Sequence, residues 1–293
     1  MILFSIIIPT SNRPEKLRLL LDSIIRNGLD IQTFEVLVIE NGHEKQCSKL
    51  CAYYTSFLNI KYYFINTVGF SAAEARNKGI HTSVGKYILF FDDDVILAPN
   101  CINAHLNYHF ANSYPKLVYG FRRNILVDAK INPIIGTIEE DERLNLEKEL
   151  SNKQFLWYYA YSCNLSIDVT NGKVYFDDNF KTWGNEDQEF AYRLHKNKFE
   201  IIVGYNCTVS HYTDSNIRSP FLREKYGLES DYKDFLISRL FFLTKHWDDI
   251  DLRNFIIRDL KLYEFRDKKW VRNEFPSSNF DLDQLKEKLS YNQ

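Results

Sequence analysis

Short apolar runs alternate with helical patterns along the first hundred residues. The strand-like runs cover residues 4–8, 36–39, 61–65 and 87–91. Leucines and isoleucines at helical spacing follow the first run, over residues 17–25. This alternation predicts an α/β fold with a doubly wound, Rossmann-like and mostly parallel sheet flanked by helices.

The remaining pattern is less regular. Residues 125–155 are polar and lack a clear period, which predicts a surface excursion or a short helix rather than a linker. Residues 156–167 are aromatic and then strand-like. After about residue 215 the apolar positions return at helical spacing. We therefore predict a domain over residues 1–214 and a helical C-terminal extension over residues 215–293.

Three consecutive aspartates, Asp92, Asp93 and Asp94, end the apolar run at residues 87–91. Strands alternate their side chains, so Asp92 and Asp94 are expected to point the same way. Two adjacent carboxylates are costly unless water or a cation compensates them. A divalent ion could compensate the two carboxylates, with substrate phosphates completing its coordination shell. The alternative is a solvated acidic turn.

Other polar residues also follow predicted strands. Asn12 comes after the first strand and Glu40 after the second. Ligands of wound α/β sheets gather at the carboxyl ends of the strands. We therefore expect Asn12, Glu40 and the three aspartates to lie on one rim of the sheet.

A second acidic cluster begins a predicted helix after Trp183 and Gly184. Its first acids are Glu186 and Asp187, and acids are common in a first helical turn because they favour the helix dipole. The flanking Trp-Gly pair is less expected from capping. Glycine allows close backbone approach, and tryptophan offers a flat face on which a sugar ring can stack. The cluster suits a general base beside a substrate that carries hydroxyl groups.

Two further residues have both a structural and a functional interpretation. His211 lies in a strand-like stretch, where a lone histidine is usually structural. As a third ligand beside two aspartates it would complete an oxygen and nitrogen shell that suits manganese. Trp157 leads an aromatic stretch that lines an acceptor groove or packs in the core.

Charge and cysteine content restrict the class of protein. The chain of 293 residues has 37 basic and 39 acidic side chains, so no basic excess favours nucleic acid as a partner. Five scattered cysteines predict reduced core thiols and a cytosolic location, with the inner face of a membrane as a variant. The apolar N-terminus predicts a buried strand rather than a signal peptide, and no apolar run approaches a membrane span.

Five segments in order resemble the glycosyltransferase family 2 enzymes, which have a GT-A fold. The resemblance covers about residues 3–214 and leaves the last 79 residues outside. The resembling segments are Ile8-Pro9-Thr10-Ser11-Asn12-Arg13, Val38-Ile39-Glu40-Asn41-Gly42, Ala75-Arg76-Asn77-Lys78-Gly79-Ile80, Gly85 to Asp94, and Trp183-Gly184-Asn185-Glu186-Asp187. Within this resemblance, a nucleotide-sugar half spans about residues 1–122 and an acceptor half about residues 123–214.

The resemblance implies a role for each matching residue. Nucleotide-binding roles fall on Pro9, Thr10, Asn12, Arg13, Glu40, Arg76, Asp92 and Asp93. Glu40 stands where the family usually has an aspartate that contacts the base or ribose. Arg76 would lie near the pyrophosphate or ribose.

The remaining roles concern the metal and the acceptor. Asp94 would be a direct metal ligand, with Asp92 nearer the ribose or a metal-bound water and His211 as a further ligand. Asp187 resembles the catalytic base, and Glu186 would hold acceptor hydroxyls or serve as the base instead. Sugar- or acceptor-binding roles fall on Trp183, Gly184 and Trp157.

The resemblance implies an inverting transferase that depends on Mn²⁺ or Mg²⁺ and uses a nucleotide-sugar, most often UDP-linked. Its acceptor would be a hydroxyl of a glycan, a lipid-linked glycan or a similar molecule, as in bacterial polysaccharide assembly. A sugar nucleotidyltransferase is the alternative enzyme, but residues 9–14 lack the glycine-rich loop that holds a triphosphate. A non-catalytic binding module is the third class.

The C-terminal helices have three interpretations. Amphipathic helices usually bury their apolar stripe within the same molecule, so a helical cap on the catalytic domain is one. A homodimer interface and a peripheral membrane contact are the others. We also expect this extension to border the acceptor side.

Overall fold

The computed structural model describes residues 1–67, 72–110, 115–128, 130–213 and 219–291. The chain divides into two compact units. The first unit comprises Met1–Asp178 and Phe190–Ser215, and the second comprises Asn179–Glu189 and Asn216–Gln293. The predicted boundary at residues 214 and 215 lies outside the described residues. Residues 179–189, which carry the second acidic cluster, group with the C-terminal residues.

Strands and helices are numbered in chain order. The strands are β1 Phe4–Thr10, β2 Phe34–Gly42, β3 Ile60–Asn66, β4 Tyr87–Phe91, β5 Val95–Leu97, β6 Lys116–Val127, β7 Pro133–Glu139, β8 Asn164–Asp168, β9 Glu200–Thr213, β10 Tyr263–Arg266 and β11 Lys269–Arg272. The helices are α1 Pro14–Arg26, α2 Ser48–Tyr54, α3 Ala72–Thr82, α4 Cys101–Phe110, α5 Glu147–Ser151, α6 Glu186–Lys196, α7 Pro220–Lys225, α8 Lys233–Lys245, α9 Ile250–Leu260 and α10 Leu282–Lys288. Short 3₁₀ helices span Glu142–Asn145 and Leu156–Tyr159.

The first unit is built on one mixed sheet with the order β3-β2-β1-β4-β8-β6-β9-β5. Strands β3, β2, β1 and β4 are parallel, while β8 runs antiparallel to β4 and to β6. Strand β9 returns parallel to β6, and the short β5 pairs antiparallel with β9. The prediction of a mostly parallel α/β sheet flanked by helices is confirmed, and its antiparallel pairs involve β5, β7 and β8.

Burial explains why β1, β2 and β4 read as continuous apolar runs. Parallel strands are covered on both faces, so residues of either parity must be apolar. Ile6, Ile7 and Ile8 of β1 are all fully buried, although neighbouring residues point to opposite faces. Helix α1 covers this sheet with Leu17, Leu20, Leu21 and Ile24, which lie in the same core cluster.

The structure corrects the interpretation of residues 125–155. Strand β6 reaches Val127, and β7 pairs antiparallel with it, so part of this stretch belongs to the sheet. The sequence of β7, Pro-Ile-Ile-Gly-Thr-Ile-Glu, contains a proline and a glycine, and both residues weaken the prediction of a strand. Pro133 begins β7, which is a position where a strand tolerates a residue without an N–H.

The second unit contains more than helices. Helices α7, α8, α9 and α10 are accompanied by a hairpin of β10 and β11. Phe235, Leu236, Leu240 and Leu243 of α8 are buried. The helices of the predicted C-terminal extension are therefore confirmed, but the prediction did not include this hairpin.

All five cysteines are buried and none forms a disulfide. The prediction of reduced core thiols is confirmed, while the cytosolic location stays a prediction. Within the described residues, no helix has both the length and the apolar character that a bilayer crossing requires.

Candidate active site

The three aspartates lie in a turn between β4 and β5. Strand β4 ends at Phe91, so strand alternation does not set the directions of Asp92, Asp93 and Asp94. Asp92 contacts Arg76, whereas Asp93 and Asp94 share Arg13. This arrangement replaces the expected pair of parallel carboxylates.

Asp94 lies beside two cations, Arg13 and Lys16, and beside His211. Its Oδ1 is 3.3 Å from Nε2 of His211, and its Oδ2 is 3.2 Å from Arg13 and 3.9 Å from Lys16. Burial alone would raise the pKa of Asp94, but His211, Arg13 and Lys16 outweigh it and hold this pKa below its usual value. Asp94 is therefore anionic at neutral pH.

His211 reaches Asp94 because of the pairing of β5 with β9. Val95, the residue after Asp94, lies opposite His211 in this antiparallel pair. The other ring nitrogen, Nδ1, lies 3.2 Å from Oδ1 of Asn124 and 3.1 Å from Oγ1 of Thr213. These contacts fix the orientation of the imidazole.

Lys16 is a site residue that was not predicted from the sequence. It follows Arg13 by three residues, at the first turn of α1, so both side chains can lie on one face of the helix. Helical spacing after the first strand could have identified it.

Asp93 is buried and contacts the end of β1. Its Oδ2 accepts a hydrogen bond of 2.6 Å from Thr10, and its Oδ1 accepts one of 3.2 Å from Arg13. Burial raises the pKa of Asp93 to about 6 despite the charge of Arg13. The hydrogen bond from Thr10 confirms that the ends of β1 and β4 lie on one rim.

Asp92 contacts Arg76 of α3. Nη2 of Arg76 donates a hydrogen bond of 3.1 Å to Oδ1 of Asp92. The Arg76 side chain is only 5% exposed and lies over the ring of Phe176 at 5.4 Å, while Asp92 is 33% exposed. A buried guanidinium thus meets a more exposed carboxylate at the rim.

The side-chain atoms at the rim can be compared with the ligands that a divalent ion prefers. Asp94 and His211 supply an oxygen and a nitrogen that converge, as Mn²⁺ accepts. Among the residues that the structure describes, no group of three or more His, Cys, Asp or Glu side chains could hold a metal. The residues fit an ion that takes its other ligands from substrate phosphate and water.

Glu40 is fully buried at the end of β2. Its Oε2 accepts a hydrogen bond of 2.5 Å from the Tyr62 hydroxyl, and both of its oxygens accept the Cys47 N–H at 3.1–3.2 Å. A direct contact of Glu40 with a nucleotide base therefore stays a prediction. Tyr62, on the neighbouring strand β3, contacts this candidate site residue and was not predicted from the sequence.

Pro9 and Asn12 lie at and after the end of β1. Pro9 pairs with Ile39 of β2. Asn12 has φ +55° and turns the chain before α1. A Cβ at Gly42 would lie 3.1 Å from Oδ1 of Asn12, so this glycine leaves room for the asparagine side chain.

The second acidic cluster belongs to the second unit. Gly184 and Asn185 have φ +93° and +68°, and Glu186 then begins α6. Oδ1 of Asp187 accepts a hydrogen bond of 2.9 Å from the N–H of Gln188. Two residues in the left-handed region therefore turn the chain just before Glu186 and Asp187.

The aromatic candidates have different environments. Trp183 is half-buried, and its ring lies 6.4 Å from that of Phe235 in the same unit. Trp157 is only 2% exposed, and its indole N–H donates to the Gln154 carbonyl across 3.0 Å. Core packing therefore accounts for Trp157 here, and its role in acceptor binding stays a prediction.

The sheet order and the rim of acids and cations define the class of protein, an α/β protein with the GT-A fold. Residues 5–167 match the model of the family described as "Glycosyl transferase family 2", which is more than half of the chain. The chain belongs to this family. The predicted family is thus confirmed.

Relatives with assigned activities are similar over most of this chain. A validoxylamine A glucosyltransferase of Streptomyces hygroscopicus subsp. jinggangensis is 26% identical over an alignment of 256 residues, and this alignment covers 79% of this chain and 56% of that protein. A hyaluronan synthase of Pasteurella multocida is 29% identical over 220 residues, covering 65% of this chain and 22% of that protein. The chain thus spans about half the length of the glucosyltransferase and less of the synthase.

Solved structures share the fold. S. aureus TarS 1–349 in complex with UDP-GlcNAc has a TM-score of 0.61 at 17% identity, covering 89% of this chain and 71% of that one. A mannosyltransferase from Pyrobaculum calidifontis in complex with GDP-Man and Mn²⁺ has a TM-score of 0.60 at 14% identity, covering 84% and 64%. These similarities confirm the GT-A fold.

Proposed function

We propose that this chain transfers a sugar from a nucleotide-diphosphate donor, UDP-linked, to a hydroxyl of a glycan acceptor with inversion at the anomeric carbon. The observation that carries the proposal is the cluster of Asp92–Asp94 with Arg13, Lys16 and Arg76 at the rim of a family 2 chain. Carboxylates and guanidinium groups together suit a diphosphate that brings a metal ion with it.

The cations bind the donor phosphates. Arg13 and Arg76 have planar forks that match phosphate oxygens, and Lys16 adds a point charge. In the structure these groups contact the aspartates, so their charges are compensated. Pro9, Thr10, Asn12, Glu40 and Asp93 surround the nucleoside in this proposal.

Asp94 and His211 would hold the divalent ion, Mn²⁺ or Mg²⁺, with Asp92 nearer the ribose or a metal-bound water. When bound, the ion stabilises negative charge on the diphosphate as it departs. The structure of the mannosyltransferase contains Mn²⁺, which supports this proposal.

Asp187 acts as the base. It takes the proton from the acceptor hydroxyl as this oxygen forms a bond to C1 of the donor sugar. The bond from C1 to the phosphate oxygen breaks, and its electron pair leaves with the nucleotide diphosphate. Glu186 holds acceptor hydroxyls or serves as the base instead, and Trp183 and Gly184 contact the sugar. One displacement inverts the anomeric centre without a covalent enzyme intermediate.

The names of relatives support the substrate class. They include a glucosyltransferase, a hyaluronan synthase and a chondroitin synthase. Three of the similar solved structures contain UDP-GlcNAc, UDP and GDP-Man, respectively. A UDP-sugar and a glycan or lipid-linked glycan acceptor are therefore the first to test. Dimerisation, membrane contact and a cytoplasmic location remain predictions.

Donor hydrolysis tests the proposal without a known acceptor. The protein is incubated with UDP- and GDP-sugars plus Mn²⁺ or Mg²⁺, and released nucleotide diphosphate is measured alongside an EDTA control and Asp94→Asn. We expect slow release from one donor, lost in both controls. Pyrophosphate release from a nucleoside triphosphate plus a sugar phosphate would instead indicate a nucleotidyltransferase. Absence of binding to every donor by calorimetry would contradict the proposal.

A further inference from the structure

Arg239 of α8 is a completely buried arginine in the second unit. Its Nε and Nη2 donate to Oδ2 of Asp259 across 3.0 and 2.9 Å. Its Nη1 donates to Oδ1 of Asn185 across 2.8 Å and to Oε1 of Gln188 across 2.9 Å. One guanidinium thus joins α9 to both sides of Glu186 and Asp187.

Other residues of α8 contact the same segment. The Ser238 hydroxyl donates to the carbonyl of Gly184. Nδ2 of Asn185 donates to the Phe235 carbonyl across 3.2 Å. Every one of these contacts fixes a residue that precedes the two acids.

The residue after Gln188 is held as well. Glu189 is completely buried, and its Oε1 lies 2.8 Å from Nζ of Lys245 and 2.9 Å from Nε2 of His246. The segment from Gly184 to Glu189 is therefore attached on both sides of the acids by residues of α8 and its C-terminal end.

The geometry points to Arg239 as a positioning residue for the carboxylate of Asp187, an inference that rests on the proposed function. Two left-handed residues, Gly184 and Asn185, precede the acids, and left-handed backbone is uncommon outside glycine. The hydrogen bond from Arg239 to Asn185 stabilises this turn. Its hydrogen bond to Gln188 fixes the first turn of α6, whose Gln188 N–H also binds Asp187.

The chemistry of arginine fits this task better than that of lysine. Three separate nitrogens face three acceptor residues in fixed directions, which a single ammonium group cannot reproduce. The charge of Asp259 and the hydrogen bonds to Asn185 and Gln188 offset the desolvation penalty of a guanidinium at 0% exposure. A lysine at this position would keep the charge and lose part of the fork.

The inference predicts a specific kinetic effect. Arg239 contacts the segment of the base, while the proposed phosphate-binding residues Arg13, Lys16 and Arg76 belong to the first unit. Replacement of Arg239 should lower kcat and leave the affinity for the donor nucleotide unchanged. A loss of folded protein would instead lower the apparent kcat together with the number of donor-binding sites per chain, which calorimetry also measures.

The test compares Arg239→Lys with Arg258→Lys, a matched control on α9 that is exposed and lies over Phe255. Both are made in the wild-type chain and in Asp187→Asn. We expect Arg239→Lys to lower kcat by about tenfold to hundredfold, the scale for partners that orient a functional ligand. In the Asp187→Asn background it should change kcat less than about twofold, because coupled residues are non-additive. Donor affinity by calorimetry should stay the same, and Arg258→Lys should match the wild type.

The inference would be overturned if Arg239→Lys lowered kcat equally in both backgrounds, left kcat unchanged, or abolished donor binding. Hydrogen exchange of residues 183–190 gives a readout that does not depend on activity, and we expect faster exchange in Arg239→Lys than in Arg258→Lys. Equal exchange would overturn the inference even if no donor were found. If Arg239→Lys does not fold, Gln188→Met removes one acceptor of the fork and is expected to cause a smaller loss of the same kind. Full activity of Asp187→Asn would instead overturn the proposed base.

Discussion

Nε2 of His211 lies 3.3 Å from Oδ1 of Asp94, although the two residues are far apart in the chain. The short strand β5 follows Asp94 and pairs antiparallel with β9, which carries His211. Strand pairing therefore creates the juxtaposition, and contacts with Asn124 and Thr213 orient the ring. The relationship leads directly to a test of metal binding.

His211→Ala should raise the Mn²⁺ concentration for half-maximal donor hydrolysis by at least about tenfold, because one of two converging ligands is lost. Hydrolysis is measured across a Mn²⁺ titration. His81→Ala is the matched control, since His81 is exposed at the end of α3. An unchanged Mn²⁺ dependence in His211→Ala would contradict its role as a ligand.

The choice between Asp187 and Glu186 as base can be decided by isosteric amides. Asp187→Asn should lower acceptor transfer by about 10²–10⁴-fold, the usual contribution of a positioned base. Glu186→Gln should cause the smaller loss and act mainly on the KM for the acceptor. Steady-state kinetics of both variants with one donor and acceptor provide the measurement. The reverse order of losses would assign the base to Glu186.

Two buried histidines make stability depend on pH. His105 lies 2.9 Å from both Ser166 and Asn164, and His109 lies 2.8 Å from Ser166. Burial lowers the pKa of His105 to about 4 and that of His109 to about 3. The unfolded chain has histidine pKa values near 6.5, so below about pH 6.5 it binds protons that the folded protein does not. Their contribution to stability is therefore complete above this pH and is lost as pH falls towards 4.

Each histidine should reduce the free energy of unfolding by about 1.4 kcal/mol per pH unit in this window. His105→Gln should make the slope smaller by that amount, and His81→Gln should leave it unchanged because His81 is exposed. Urea unfolding at several pH values between about 4.5 and 6 measures the slope. Equal slopes for wild type and His105→Gln would contradict the prediction.

The sequence predicted the parallel half of the sheet well. The apolar runs of β1, β2, β3 and β4 are short and bounded by turn residues, so period and length identify them. The rim followed from one rule, that the carboxyl ends of parallel strands meet at one edge. The hydrogen bond of Thr10 with Asp93 confirms it.

Long-range side-chain contacts could not be predicted in this way. Arg239 and Asn185 are 54 positions apart, and no local pattern on α8 distinguishes Arg239 from the other arginines of the C-terminal region. Strand alternation also failed at the aspartates, because β4 ends at Phe91 and a turn sets their directions. Periodicity describes one element, whereas these features depend on the packing of two.

Gly120 of β6 is a position where the fold requires glycine. A Cβ there would lie 2.0 Å from the Cys207 carbonyl oxygen and 2.3 Å from Nδ2 of Asn164. The nearest atom belongs to the backbone of β9, so relief requires movement of a strand. Gly120→Ala should lower the free energy of unfolding by about 3 kcal/mol or more, the upper part of the range for overpacking.

Gly204 provides the comparison, because it lies opposite Gly120 in the pair of β6 and β9. A Cβ at Gly204 would first meet Sγ of Cys207 at 2.9 Å, which is a side-chain atom. Gly204→Ala should therefore lower the free energy of unfolding less than Gly120→Ala does. Adding Cys207→Ala should relieve much of the destabilisation by Gly204→Ala and little of that by Gly120→Ala. Urea unfolding of the two single variants in both backgrounds measures these differences. Equal costs for the two glycines would show that the Cys207 backbone moves as readily as its side chain, which the pairing of β6 with β9 argues against.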